Sequence, residues 1–396
     1  MFKEMKKKHK NLIFLCDFFD CLFSSLFNVL YSFFLGWKFL LQINLISYTS
    51  IMETLPHSKR IEIVKTTLPP CCLRIHPQDT SKIFIGTYKL EDDGSRHGSL
   101  DYYSFLDNKL SLISSTATLG AILDIKFNPS DPQMLVSAHS NGHLLIWKFD
   151  NNTLELFHDA NVHEDTLITS IFFNPNKDSN GSVILLTFTD GYLGLFDLEK
   201  LEIDYFDTCH ELECWTGSFG EIGQLSNVVY TGGDDSQLIA HDLRTKQQIW
   251  TLRRGHDAGI VSILSPNDNW NKTSPNTLWT GSYDDNLRVW DLRVIDKSNP
   301  SLISGYIPKI ISQENLGGGV WRLIPSPVDN RLLICCMYDG ARIIDANLDS
   351  FTVTRYFKQD HQSMCYGGDW SSDGKFIATC SFYDNVVQVW SPDQCV

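Results

Sequence analysis

The sequence predicts an all-β fold, a ring of seven four-stranded blades, and three observations predict it. Leu278–Arg293 (LWTGSYDDNLRVWDLR) reads as a strand, a tight polar turn at Asp284-Asp285-Asn286 and a return strand, the signal of a β-hairpin. The same hairpin recurs along the chain. Aligning on the Trp290 column gives Tyr103, Trp147, Phe196, His241, Trp290, Ile344 and Trp390, with gaps of 44, 49, 45, 49, 54 and 46 residues, the period of a propeller blade. Finally, only Pro392–Val396 follow the last hairpin, so the seventh blade lacks an outer strand from its own repeat.

In chain order, Ile61–Leu68 alternates apolar and polar residues ahead of Pro69-Pro70, and is expected to fill that place and close the ring. The first hairpin, Ile83–Phe105, carries an insertion at Glu91–His97. Those of blades two to four are Leu135–Phe149, Ile184–Leu198 and Val229–Arg244, and those of blades six and seven are Leu333–Ala346 and Ile377–Ser391. Inner strands are expected at Ala121–Asn128, Leu167–Asn174, Ile260–Pro266, Val320–Pro325 and Tyr366–Ser371, several ending in Asn-Pro or Ser-Pro, which stops a strand and starts a turn. The fourth blade enters through Cys209–Glu221 (CHELECWTGSFGE), where polar and aromatic residues replace the usual bland run.

These repeats resemble the WD40 family. Trp290-Asp291 is the signature dipeptide, Gly255-His256 the upstream Gly-His, and Thr280 or Ser282 with Asp284 would complete the hydrogen-bonded tetrad that ties a blade together. Other copies are degenerate, with His241 and Ile344 in the tryptophan column and Ser391 in the aspartate column. The resemblance covers roughly Arg60 to Ser391.

A formal charge of −14 argues against a general nucleic-acid binder, which usually shows a basic face. Eleven cysteines include no CxxC pair, and the adjacent pairs Cys71-Cys72 and Cys335-Cys336 point to opposite faces of a strand, which fits reduced thiols and no metal site. Sequons at Asn151, Asn180 and Asn271 are short enough to arise by chance.

The first 51 residues stand outside the repeat, which leaves 52–396 as the propeller. Met1–Lys10 holds five lysines and Cys21–Trp37 no charge, a pattern resembling a signal anchor, with Asp17 and Asp20 at its edge. The alternative preferred here is a mis-assigned start, with translation beginning at Met52, because Phe, Leu, Lys, Ile and Asn have AT-rich codons. A membrane association is expected only if the segment is real, and a cytoplasmic protein otherwise.

A narrower resemblance lies in an ordered set of segments. These are His210–Trp215 (HELECW), Tyr230–Asp235 (YTGGDD), Thr280–Asp285 (TGSYDD), Gly317–Arg322 (GGGVWR) and Tyr366–Ser371 (YGGDWS). Together they resemble the WD-repeat diphthine methylesterases, catalogued as diphthine methyltransferases. The chain departs from that family at Ile324-Pro325, where a Trp-His-Pro-like strand end is expected, and at His241. The resemblance implies an enzyme that hydrolyses the methyl ester of methylated diphthine on translation elongation factor 2, without cofactor or metal.

Ester hydrolysis needs an activated water or nucleophile, a base and donors for the oxyanion. No Gly-x-Ser-x-Gly elbow and no His-Glu-x-x-His motif is present, so a water activated by a histidine or carboxylate is the simplest scheme. Candidate catalytic residues are Glu213, Asp234, His256, Asp284 and Asp369. Candidate substrate-binding residues are His210, Trp215, Tyr283, Gly318, Gly319, Trp321 and Trp370, the aromatics for a quaternary ammonium and the glycines for close backbone approach. His256 and Asp284 read first as members of a blade tie, Trp321 and Trp370 as packing, and Gly317–Gly319 as a connection between blades. His210 and Glu213 fit no requirement of the repeat, which marks them for function. The rival class is a non-enzymatic scaffold: Trp290–Arg293 matches the WDxR motif of substrate receptors for cullin-RING ubiquitin ligases, and His241–Arg244 half-matches it.

Overall fold

The computed structural model describes residues 55–293, 308–347 and 350–396, so the expectations for the first 51 residues lie outside the described residues. The described residues form seven antiparallel sheets arranged as the blades of a propeller. Blade 1 begins at Pro70–Ile75, blade 2 at Ile122–Phe127, blade 3 at Ile168–Phe173 and blade 4 at Cys214–Phe219. Blades 5, 6 and 7 begin at Ile260–Leu264, Arg322–Pro325 and Cys365–Trp370. The inner strand of blade 6 stops at Pro325, where the sequence departs from the family pattern.

Ser58–Lys65 is the outer strand of blade 7. It pairs antiparallel with Val386–Cys395, from Ser58 opposite Cys395 to Lys65 opposite Val386, and so closes the ring between the two ends of the described chain. The closing strand begins three residues before the expected Ile61 because the last strand extends through Pro392 to Cys395 and offers it partners there.

Burial follows position in the blade. The strand Thr277–Ser282 is buried at every residue, because neighbouring blades cover both of its faces. The outer strand Lys109–Thr118 is mostly exposed. Between the blades lie the large buried rings Trp147, Trp279 and Trp390.

One irregularity recurs and sets up the site. In six blades the inner strand slips register within its first three residues, between Pro70 and Cys72, Ile122 and Asp124, Ile168 and Ser170, Cys214 and Thr216, Ile260 and Ser262, and Cys365 and Gly367. The skipped residue has no cross-strand partner, and a bulge of this kind re-aims its side chain. Cys71, Leu123, Trp215 and Tyr366 are four of these bulge residues, and all four line one cavity.

Candidate active site

That cavity has a volume of about 450 Å³ and draws on all seven blades. Blade 1 and its insertion give Cys71, Tyr88 and Lys89; the next three give Leu123, Leu167 and Trp215; the last three give Tyr283, Trp321 and Tyr366 with Phe382. Its walls are aromatic. Trp321 is the hub, with ring centroids 5.9 Å from Trp215, 5.9 Å from Tyr283 and 4.7 Å from Tyr366. Tyr366 continues to Phe382 at 5.4 Å and Phe382 to Tyr383 at 4.9 Å. Burial holds the phenols of Tyr283 and Tyr366 above their ordinary values, so both rings are neutral walls. Burial also pushes the Cys71 thiol up to about 12, against the pull of Arg322, so it is no thiolate at neutral pH.

At the rim, the carboxylate of Asp234 accepts from Trp215 Nε1 at Oδ1 over 2.9 Å. Its backbone N–H donates to the Glu213 carbonyl over 2.9 Å, which brings Asp234 and Glu213 together at one edge. Both charges act on Tyr283. Gly319 lies against this edge: a methyl at its Cα would meet Met337 Sδ at once and the Tyr283 ring at 3.5 Å. At Gly318 a side chain would strike the Cys336 carbonyl, so the segment needs two glycines to pass so close to blade 6.

The remaining candidates lie elsewhere. His256 Nε2 and Trp290 Nε1 both meet Thr280 Oγ1, at 2.9 Å and 2.8 Å, which settles Thr280 over Ser282 as the hydroxyl of the tie. Asp284 accepts the Asp257 N–H over 2.9 Å and pairs with Arg288 at 2.8 Å, both side chains buried. Burial, with Arg288 adding, lowers the His256 pKa to about 3, so a neutral imidazole ties strands of blade 5. The same arrangement holds blade 7 through His361, Thr379, Trp390 and Asp384.

His210 is a correction. It satisfies a repeat requirement after all, because it is the tie histidine of blade 4. Its Nε2 lies 2.9 Å from Thr231 Oγ1, which also meets His241 Nε2 at 3.0 Å, and its Nδ1 is 3.0 Å from Asp235 Oδ1. Asp235 receives the Glu211 N–H as Asp284 receives that of Asp257, so Asp235 is the structural turn residue and leaves Asp234 to the rim. Burial lowers the His210 pKa, but Cys214 and Asp235 outweigh it and raise the value to about 10.

Trp370 is buried between blades 6 and 7 and donates Nε1 to the Ile324 carbonyl over 3.0 Å. Asp369 lies beside it, half-buried, accepting the Ile75 N–H over 2.9 Å. Burial raises its pKa, opposed by Arg74 and Lys126. Sequence reasoning gave no role to Cys71, Leu123, Tyr88 or Phe382. The usable signal was positional, since the second residue of an inner strand faces the axis. Among the described residues no group of His, Cys, Asp or Glu is arranged to hold a metal ion, and no helix is long and apolar enough to cross a membrane. In the WDxR segment, Trp290 is buried in the tie and Arg293 turns back onto Asp291, with Nε 3.0 Å from Oδ1.

Seven blades around an axial aromatic cavity, with Trp–Thr–His ties in blades 5 and 7, define a WD-repeat propeller, and the WD domain, G-beta repeat family model matches residues 246–291 and 353–391. A chain in the crystal structure of a mitotic checkpoint complex has the same fold, with a TM-score of 0.64 over 85% of this chain and 93% of that one, at 13% identity. The diphthine methyltransferase of Saccharomyces cerevisiae is 39% identical over 86% of this chain and the whole of its own length. That of Schizosaccharomyces pombe is 30% identical over 78% of this chain and 90% of its own. The chain belongs to the diphthine methyltransferase family.

Proposed function

We propose that this protein acts in diphthamide biosynthesis by hydrolysing the methyl ester of methylated diphthine on translation elongation factor 2. The observation that carries the reading is the aromatic cavity with two carboxylates at one edge, in a chain that aligns with a diphthine methyltransferase over that relative's whole length. A trimethylammonium is attracted to the faces of Trp and Tyr rings, and Trp215, Trp321, Tyr283 and Tyr366 offer four. The rim carboxylates add charge attraction.

Asp234 is the base. Trp215 fixes one of its oxygens, and the other takes a proton from a water as that water attacks the ester carbonyl. The bond from carbonyl carbon to methoxy oxygen then breaks, the methoxy group leaves as methanol with the proton from Asp234, and the acid product loses its own proton. Glu213 faces the quaternary nitrogen. The reaction belongs to residues 52–396 and to the cytoplasm, where translation proceeds.

Incubating the purified protein with elongation factor 2 that carries methylated diphthine tests this. Mass spectrometry of the factor should show the loss of one CH₂, with methanol released. An unchanged mass with folded protein, together with capture of a ubiquitin-ligase adaptor through Trp290–Arg293, would overturn the proposal in favour of the scaffold.

A further inference from the structure

Beneath the aromatic walls the channel holds charges that the proposed chemistry does not use. Asp124 is fully buried, and the backbone N–H groups of Ile125 and Ile171 fix its two oxygens, each over 3.1 Å. Three cations from different blades face it: Arg322 at 3.6 Å, Lys126 at 3.8 Å and Arg74 at 3.9 Å. Asp369 lies in the same field, and burial, with Arg74 adding, lowers the Lys126 amine to about 7, so the two guanidiniums are the permanent cations of the floor.

Lys89 lines the cavity from the blade 1 insertion, and of the three floor cations Arg322 is the one that touches a lining residue. Its guanidinium stands 5.9 Å from the Trp321 ring, and its Nη2 donates to the carbonyl of Leu123, a lining residue, over 3.4 Å. A guanidinium has five N–H donors. Among the described residues this one makes that single long hydrogen bond and one loose ion pair. Its side chain is 14% exposed and none of its nitrogens is sealed without a partner, so the guanidinium keeps accessible donors beside the lining residues Leu123 and Trp321. Arg74 and Lys126 stay with Asp124 if Arg322 turns toward a ligand, so the buried carboxylate is not left unpaired.

We infer that Arg322 is the anion-recognising group of the cavity, and that the cavity is built for a zwitterion of the betaine type. The quaternary ammonium sits against the rings, and the adjacent carboxyl group meets the guanidinium fork. Arg suits this place better than Lys because its planar fork matches two carboxylate oxygens at once. In the hydrolysis proposed above, on which this assignment of roles rests, the same fork receives the carbonyl oxygen as negative charge grows on it. The product carboxylate then stays on the fork until release.

The test is calorimetric titration of the full chain with two probes, N,N,N-trimethylalanine and choline, which share the cation and differ in the carboxylate. The intact protein should bind the zwitterion at least about tenfold more tightly than choline, the effect of a charge-assisted hydrogen bond. Arg322→Met should erase that preference while leaving choline binding unchanged, which also shows that the walls are folded. If Arg322→Met loses both probes, Arg322→Lys decides, since it keeps a charge beside Asp124. Weakened zwitterion binding with choline binding retained supports the inference, and an unchanged preference overturns it. Equal or absent binding of the two probes by the intact protein overturns it outright. Arg322-dependent zwitterion binding alongside an unchanged mass of elongation factor 2 would uphold this site and remove only the proposed substrate.

Discussion

Trp215 Nε1 donates to Asp234 Oδ1 over 2.9 Å, so the indole that walls the cavity also aims the carboxylate at its rim. Asp234→Asn keeps the hydrogen bond and removes the carboxylate proposed as the base. It should lower kcat by about 10²–10⁴-fold, the usual contribution of general-base catalysis, with a smaller rise in KM because one of the two rim charges is lost. Trp215→Phe keeps a ring in the wall and removes the donor, so kcat should fall less. Methanol release from the modified factor measures both.

The pairing of Ser58–Lys65 with Val386–Cys395 makes the ring continuous. Removing Ser58–Lys65 exposes the edge of the last strand and uncovers part of the cluster around Val387 and Val389, against which Ile61 and Val64 pack. Thermal unfolding of the truncated protein should fall by roughly 10 °C or more, or lose cooperativity. An unchanged melting temperature would show that closure does not depend on this strand.

His256→Ala should lower stability by about 1–3 kcal/mol, the cost of leaving a buried hydrogen-bond partner unsatisfied. The orphaned group is Thr280, which keeps only Trp290. Activity per folded molecule should be retained. A stable but inactive His256→Ala protein would move this histidine into the chemistry.

The tie of blade 4 should respond to pH in the opposite sense to that of blade 5. His210 rises from 6.5 unfolded to about 10 folded, so its charge stabilises the fold fully below pH 6.5 and ceases to as pH passes through 10. Its partner Asp235 is held below 3.8, so the window opens at about pH 4. The melting advantage of the native protein over Asp235→Asn should be greatest between about pH 4 and 6.5 and shrink above 10 to what the Glu211 and Gln237 N–H bonds supply. His256, lowered to about 3, resists protonation, so its blade loses stability as pH falls below 6.5.

The propeller was legible because its period is carried by local hairpins. Leu278, Thr280, Trp290 and their copies sit a few residues apart, and the alternation shows which face each occupies. Blade 4 misled because Cys209 stands where a glycine precedes His256, and His241 stands in the tryptophan column. The spacing was still there, since His210 lies 21 residues before its hydroxyl partner, against 24 for His256 and 18 for His361. Trp215, Tyr283 and Trp321 could be singled out as aromatics, but periodicity gives faces and not neighbours across a channel. Arg322 and Leu123 meet 199 residues apart in sequence, and only closure of the ring brings them together.

That closure has a consequence for the protein's birth. Ser58–Lys65 leaves the ribosome before any blade, and its partner Val386–Cys395 leaves after all the others. At ordinary translation rates the interval is on the order of tens of seconds. Throughout it the early strand has no mate, and the cavity, which takes a wall residue from every blade, does not exist. An interrupted chain therefore yields no partly active fragment. Occupancy of the cavity by a small ligand reports full-length synthesis and folding in one measurement.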